Sequence, residues 1–186
     1  MYHGSGPTVI KWLLLVRGIK SVLVEAQEWI QTGPMSPLLQ TRGAKAYDNN
    51  IGMVEEEVTI YLNSLSAAVV QSSDPGASES CIAAIELLRK SFASMALGCD
   101  SSVVFFWPVQ VPPEFTAMLE LDRPEALTVF ALFCVLLHTQ NWRWLFRGWS
   151  SNMLGIVEGK LDEKWRRWLW LPLRVIRNEK AQRLKV

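Results

Sequence analysis

Cys134 and His138 stand four residues apart, a spacing that places both side chains on one face of a helix and offers a thiolate and an imidazole to one metal ion. Two donors make a weak site. No nearby carboxylate or further Cys/His completes the four ligands of a structural zinc, and a core cysteine followed by a helix-end histidine is the plainer reading. Glu114, Glu120, Asp122 and Glu125 lie close enough in sequence to supply an acid–base pair. Surface and capping roles are the plainer reading. There is no G-x-S-x-G, no phosphate-binding glycine loop and no dinucleotide fingerprint, and Gly4-Ser5-Gly6 is too short and isolated to count. His3 carries no argued role. The expectation is a protein without catalytic residues, metal or cofactor, so its function must come from binding.

The residues that could bind are aromatic. Six of the nine tryptophans fall between Trp142 and Trp170. Each indole brings a large apolar area and one N–H that needs a partner when buried, so the segment calls for a core, a cavity or a partner surface. Basic residues alternate with indoles over Lys164–Arg174, a pattern that can stack on bases or lie in a lipid interface. A packed amphipathic helix is the plainer of the two readings, with Trp165, Trp168 and Leu169 inward and Arg166 and Arg167 in water. The apolar run Leu127–Leu137 together with the Trp-rich segment can wall a cavity between helices. On helix position, the expected ligand-binding residues are Phe130, Phe133, Leu137, Trp144, Leu145 and Trp149.

Helices must position these groups. Val9, Trp12, Leu13, Val16, Ile19, Val22, Leu23 and Trp29 recur at three- and four-residue steps, predicting an amphipathic helix that Gly33-Pro34 ends. A second helix is predicted from about Met53 to Gln71, with acids in its first turn and Val58, Tyr61, Leu62, Leu65 and Val69 buried. Asp74-Pro75-Gly76 reads as a breaker before a third helix, from about Ser78 to Leu97, that carries Ile82, Ile85, Leu88, Phe92 and Met95 inward. Val103–Val111 is β-rich but lacks a partner strand, so it reads as an extended connector. Pro112–Leu121 forms a short helix burying Phe115, Met118 and Leu119. Pro124 then opens a helix, capped near Asp122 or Arg123, that is apolar nearly all round and therefore central. The Trp-rich helix follows, and then a last one that Pro172 interrupts. The fold class is all-α, an irregular bundle of about six or seven helices.

At 186 residues the chain suits one domain. Its organisation reads as a flexible lead over 1–8, a helical domain over 9–172 and a basic tail over 173–186. A net charge of +1 gives no global attraction to nucleic acid or membranes, although Lys164–Lys185 holds eight basic residues against Glu179 alone. Cys81, Cys99 and Cys134 are scattered and odd in number, which points to a reducing compartment rather than a disulfide framework. Trp12–Val16 is a short apolar stretch stopped by Arg17 and does not read as a secretory signal. Ala126–Leu137 falls well short of the roughly 20 residues that span a bilayer. A soluble intracellular protein, nuclear or cytoplasmic, with no transmembrane segment is expected.

The residue order also resembles a known family. Trp12-Leu13-Leu14-Leu15-Val16-Arg17-Gly18, Thr32-Gly33-Pro34, Trp107-Pro108 and Phe115 come first. Arg123-Pro124-Glu125-Ala126-Leu127, Trp144, Gly148-Trp149 and Trp165 through Trp170-Leu171-Pro172 follow. Over residues 9 to 172 this order resembles the C-terminal regulatory domain of fungal zinc-cluster transcription factors, of the sterol uptake control protein type. The resemblance implies an all-helical effector domain, nuclear or shuttling, whose apolar pocket senses a sterol or another lipid. Two departures stand out. Nothing here forms the six-cysteine zinc cluster, so no direct DNA binding is expected, and the family's upstream helices are missing, as in a truncated version. The helix Val9–Gln31 would then expose an apolar stripe, and a homodimer, or a heterodimer with a full-length factor, is expected. Two other readings stay open: a small-molecule-binding protein or cyclase of secondary metabolism that acts by orienting an apolar substrate, and a heterodimerising interaction fragment.

Overall fold

The computed structural model describes residues 18, 56–72, 74–96, 104–142 and 144–183, apart from the side chains of 145 and 178–183. The predicted helix Val9–Gln31 lies outside the described residues except for Gly18, which is helical and exposed. Among the described residues every regular element is a helix, as the all-α reading expected. In chain order these are α1 (Glu56–Ser72), α2 (Pro75–Ala96), α3 (Phe106–Gln110), α4 (Pro113–Glu120) and α5 (Pro124–His138). A 3-10 turn, Trp144–Phe146, precedes α6 (Trp149–Lys160); α7 (Glu163–Arg166) and a 3-10 turn, Arg167–Leu169, then lead into α8 (Trp170–Arg183).

The fold is organised around α5. Thirteen of its fifteen residues are buried, and α2, α4, α6, α7 and α8 pack against it. A helix with no polar face has no stable place on a surface, so its neighbours must enclose it. The one hydroxyl in its middle, Thr128, returns its hydrogen bond to the Pro124 carbonyl at 2.8 Å and leaves no unmet donor.

The turn into α5 shows how the sequence stops one helix and starts the next. Asp122 adopts a left-handed conformation (φ 52°). The Arg123 N–H bonds the Met118 carbonyl at 2.9 Å and the Asp122 N–H the Leu119 carbonyl at 3.2 Å, which closes the end of α4. Arg123 is itself the N-cap residue of α5, with Pro124 in the first turn, where a missing N–H costs nothing. The Asp122 carboxylate turns away to Lys160 at the end of α6, at 2.5 Å.

Three expectations are corrected. Asp74-Pro75 does break the chain, but as the start of α2: Asp74 accepts from the Ala77 N–H at 2.9 Å and Pro75 is the first helical residue. Over the described residues 104–111 the chain is not an extended connector. It turns into α3 because Trp107 inserts fully into the core and donates its Nε1–H to the Ala84 carbonyl of α2 at 2.8 Å, so tertiary packing overrides local β preference. The interruption expected at Pro172 lies earlier, at the 3-10 turn Arg167–Leu169; Pro172 itself stands in the first turn of α8, which runs on to Arg183. Of the residues expected inward on α2, Ile85 and Leu88 are buried, whereas Ile82, Phe92 and Met95 are only half-buried.

Candidate functional site

Of the six residues expected to line a ligand pocket, the five whose side chains are described do not line a common one. Phe130, Phe133 and Leu137 lie in the filled interior of α5, all at 1% exposure or less. Trp107 stacks on Phe133 with ring centroids 4.6 Å apart, and Phe115 meets Trp107 edge-on at 5.7 Å. These rings occupy the space a ligand would need. Trp144 is 86% exposed, while Trp149 is half-buried with its ring edge-on to Phe146. The Leu145 side chain lies outside the described residues.

The Cys134–His138 pair is likewise drawn into the core. Cys134 is fully buried, and burial pushes its thiol pKa far up. His138 directs Nδ1 to the Ser150 Oγ at 2.8 Å. A serine held by a histidine has the geometry of an activated nucleophile. Both residues are closed off from solvent, however, at 5% and 1% exposure, so the bond joins the end of α5 to the start of α6 and presents nothing to a substrate. Among the described residues no three His, Cys, Asp or Glu side chains come together as a metal site. Glu125, the one buried member of the acidic group, faces Arg123 at 3.5 Å, and Asp122 faces Lys160.

Open space lies elsewhere, where α1 meets the last helices. One groove of about 420 Å³ runs between α1, α2, α5 and α8. Its walls are Val58, Phe92, Met95, Leu132, Val135 and Val175, with Glu57 and Arg174 beside them. Most of these side chains are half-buried, which is why the groove exists: each helix presents the edge of its apolar stripe, and the edges do not close on one another. The second groove, about 790 Å³ and more open, is lined by Glu56, Glu57, Ile60, Tyr61, Trp168 and Trp170, with Ser64. Glu57 borders both. Its carboxylate pairs with the Arg174 guanidinium, which holds the Glu57 carboxyl below the ordinary carboxylate range.

The wall of the larger groove is built from one local irregularity. Pro172 has no N–H to return to the Trp168 carbonyl, and the chain just before it winds as a 3-10 turn. The Tyr61 hydroxyl donates to that carbonyl from α1. The Tyr61 ring thereby lies edge-on to both Trp168, at 5.9 Å, and Trp170, at 5.7 Å. Burial raises the Tyr61 hydroxyl pKa well above its ordinary value, so the donor keeps its proton at all physiological pH.

Lys164 to Arg174 resolves as the packed amphipathic alternative: Trp165 and Leu169 are buried, Trp168 half-buried, and Arg166 and Arg167 exposed. Trp170 is the one indole of this stretch that is largely exposed, at 46%. The groove residues on α1 and α2 escaped the sequence reading because a half-buried Val58 or Met95 has the same helical spacing as a core residue. Glu57 gave the only usable signal, an acid beside the predicted apolar stripe. No helix among the described residues is long and apolar enough to cross a membrane. No protein family, curated protein or solved structure matches the chain.

Proposed function

We propose that this chain is a regulator-type effector domain that binds an apolar small molecule, a sterol or another lipid, without catalysing its conversion and without contacting DNA itself. The observation that carries the reading is the apolar groove between α1, α2, α5 and α8. Its volume of about 420 Å³ falls within the range of small-molecule sites, and its lining is aliphatic and aromatic with one ion pair, Glu57–Arg174, placed to orient a polar end. The residue-order resemblance to zinc-cluster regulatory domains favours the same class of function.

The mechanism is a shift in packing. A ligand wedged between α1 and α8 favours the arrangement in which both helices line it, and it changes the equilibrium only through that difference in affinity. The test is thermal unfolding against a panel of sterols and fatty acids, with Val135→Trp as the filled-groove control. One or more compounds are expected to raise Tm in the native chain and leave Val135→Trp unmoved. A panel that moves neither protein removes the sensing function.

A second reading, an interaction fragment that pairs with itself or with a longer factor, draws on the loop before α6. Trp142 and Trp144 are 69% and 86% exposed there, and indoles are enriched at the energetic centres of protein interfaces. Light scattering at micromolar concentration tests it: a dimer that Trp142→Ala/Trp144→Ala dissociates supports the reading, and a monomer removes self-pairing.

A further inference from the structure

The larger groove has a chemistry of its own. Its floor is Tyr61, 2% exposed, and its walls are the indoles of Trp168 and Trp170, each set steeply to the tyrosine ring, at 85° and 63°. The face of an indole is a negative π surface of the kind that attracts a cation. Two carboxylates, Glu56 and Glu57, stand in the same lining. Glu57 is neutralised by Arg174. Glu56 forms no ion pair with any described residue.

The chain already places its own cations on these rings. The Arg174 guanidinium lies over Trp170, 5.2 Å from the ring centroid, and that of Arg167 over Trp168 at 5.9 Å. Arg174 comes from one turn further along α8 and is half-exposed, held by Glu57 in water. The pair with Glu57 is exposed and contributes little by itself, and Arg174 makes a further contact besides it. A compact cation without N–H groups, whose hydration is weak, gains more from the indoles than an arginine that keeps its own water.

We propose that the groove bounded by Tyr61, Trp168, Trp170 and Glu56 is a binding site for an alkylated ammonium group. It deepens the proposed function, because Glu57 borders both grooves and the ammonium would be the polar head of the ligand whose apolar part fills the neighbouring groove. The cation site stands on its own geometry, and a ligand with no tail tests it separately.

The probe is choline against its uncharged carbon isostere, 3,3-dimethylbutan-1-ol, titrated into the full chain at constant ionic strength while the indole N–H signals are followed by NMR. Choline is expected to shift the Trp168 and Trp170 signals saturably, with at least about tenfold preference over the isostere. Trp170→Ala should weaken choline binding about tenfold and Glu56→Gln about threefold. Arg174→Ala should strengthen it several-fold, a gain that no loss of folding can imitate. Equal binding of choline and the isostere, or tighter choline binding in Trp170→Ala, overturns the site. Extending the probe to dodecyltrimethylammonium below its micelle concentration then reads the apolar groove. A gain in affinity that Val135→Trp abolishes supports that groove, and no gain counts against it while leaving the choline result in force.

Discussion

The Tyr61 hydroxyl, on α1, donates to the Trp168 carbonyl, 107 residues further along the chain, at the one backbone acceptor that Pro172 deprives of its helical donor. A side chain from the first described helix thus completes the last one. The bond fixes the angle of the 3-10 turn, and with it the placing of Trp168 and Trp170 around the larger groove.

Tyr61→Phe keeps the ring and removes only the donor. It should cost about 1–2 kcal/mol in urea unfolding, because a part-buried carbonyl loses its side-chain donor. Pro172→Ala returns an N–H four residues beyond Trp168. In that background the cost of Tyr61→Phe should fall to a few tenths of a kcal/mol, and a double-mutant cycle over the two positions should show coupling on the order of 1 kcal/mol.

Two tryptophans should behave oppositely. Trp107→Ala removes a fully buried indole with its Ala84 hydrogen bond and its stack on Phe133, and about 3–5 kcal/mol is expected. Trp144→Ala removes a side chain 86% in water and should stay within about 0.5 kcal/mol. Chemical denaturation with an unchanged m-value checks both.

The thiols give a pH prediction. Burial, with the Glu125 charge second, pushes the Cys81 thiol up to about 12, and burial pushes that of Cys134 higher. Both folded pKa values lie above that of an unfolded cysteine, about 8.5. The stability they allow is therefore intact below that value and is lost as pH rises from there toward the folded pKa values. In a Cys99→Ser background the native protein should resist a thiol-specific reagent at pH 8 that reacts at once in urea. Fast labelling of the native state would contradict the burial of both groups.

Asp122 tests the turn between α4 and α5. Asp122→Gly loses the ion pair to Lys160 and gains freedom at positive φ, so it should be neutral within about 0.5 kcal/mol. Asp122→Val loses the pair and keeps a branched side chain in the left-handed region, so it should cost about 1–2 kcal/mol. Thermal melts of the two variants should separate clearly.

The sequence made the scaffold legible where one signal dominated. The run from Ala126 to Leu137 could only be a central helix, and Tyr61, Leu62, Leu65 and Val69 could only be one buried stripe. It misled where local and long-range forces compete: Val103–Val111 has strand composition, but the fit of Trp107 into α2 decides its shape. The site was harder still. Phe130 and Phe133 sit on the most apolar helix, the property that makes them candidates and also packs them solid. Grooves form at the margins of stripes, at Val58, Phe92, Met95 and Val175, where spacing alone does not distinguish a filled position from an open one. The aromatic wall depends on a proline, a tyrosine and two indoles from opposite ends of the described fold, a juxtaposition no local pattern records.

On the proposed function, an apolar ligand enters the groove between α1, α2, α5 and α8. Photo-crosslinking with a diazirine-bearing sterol or fatty acid, followed by peptide mapping, measures this directly. Label on Val58, Met95 and Val175, competed by unmodified ligand and lost in Val135→Trp, is the predicted result. Label confined to the exposed Trp142 and Trp144, or spread without competition, would contradict it.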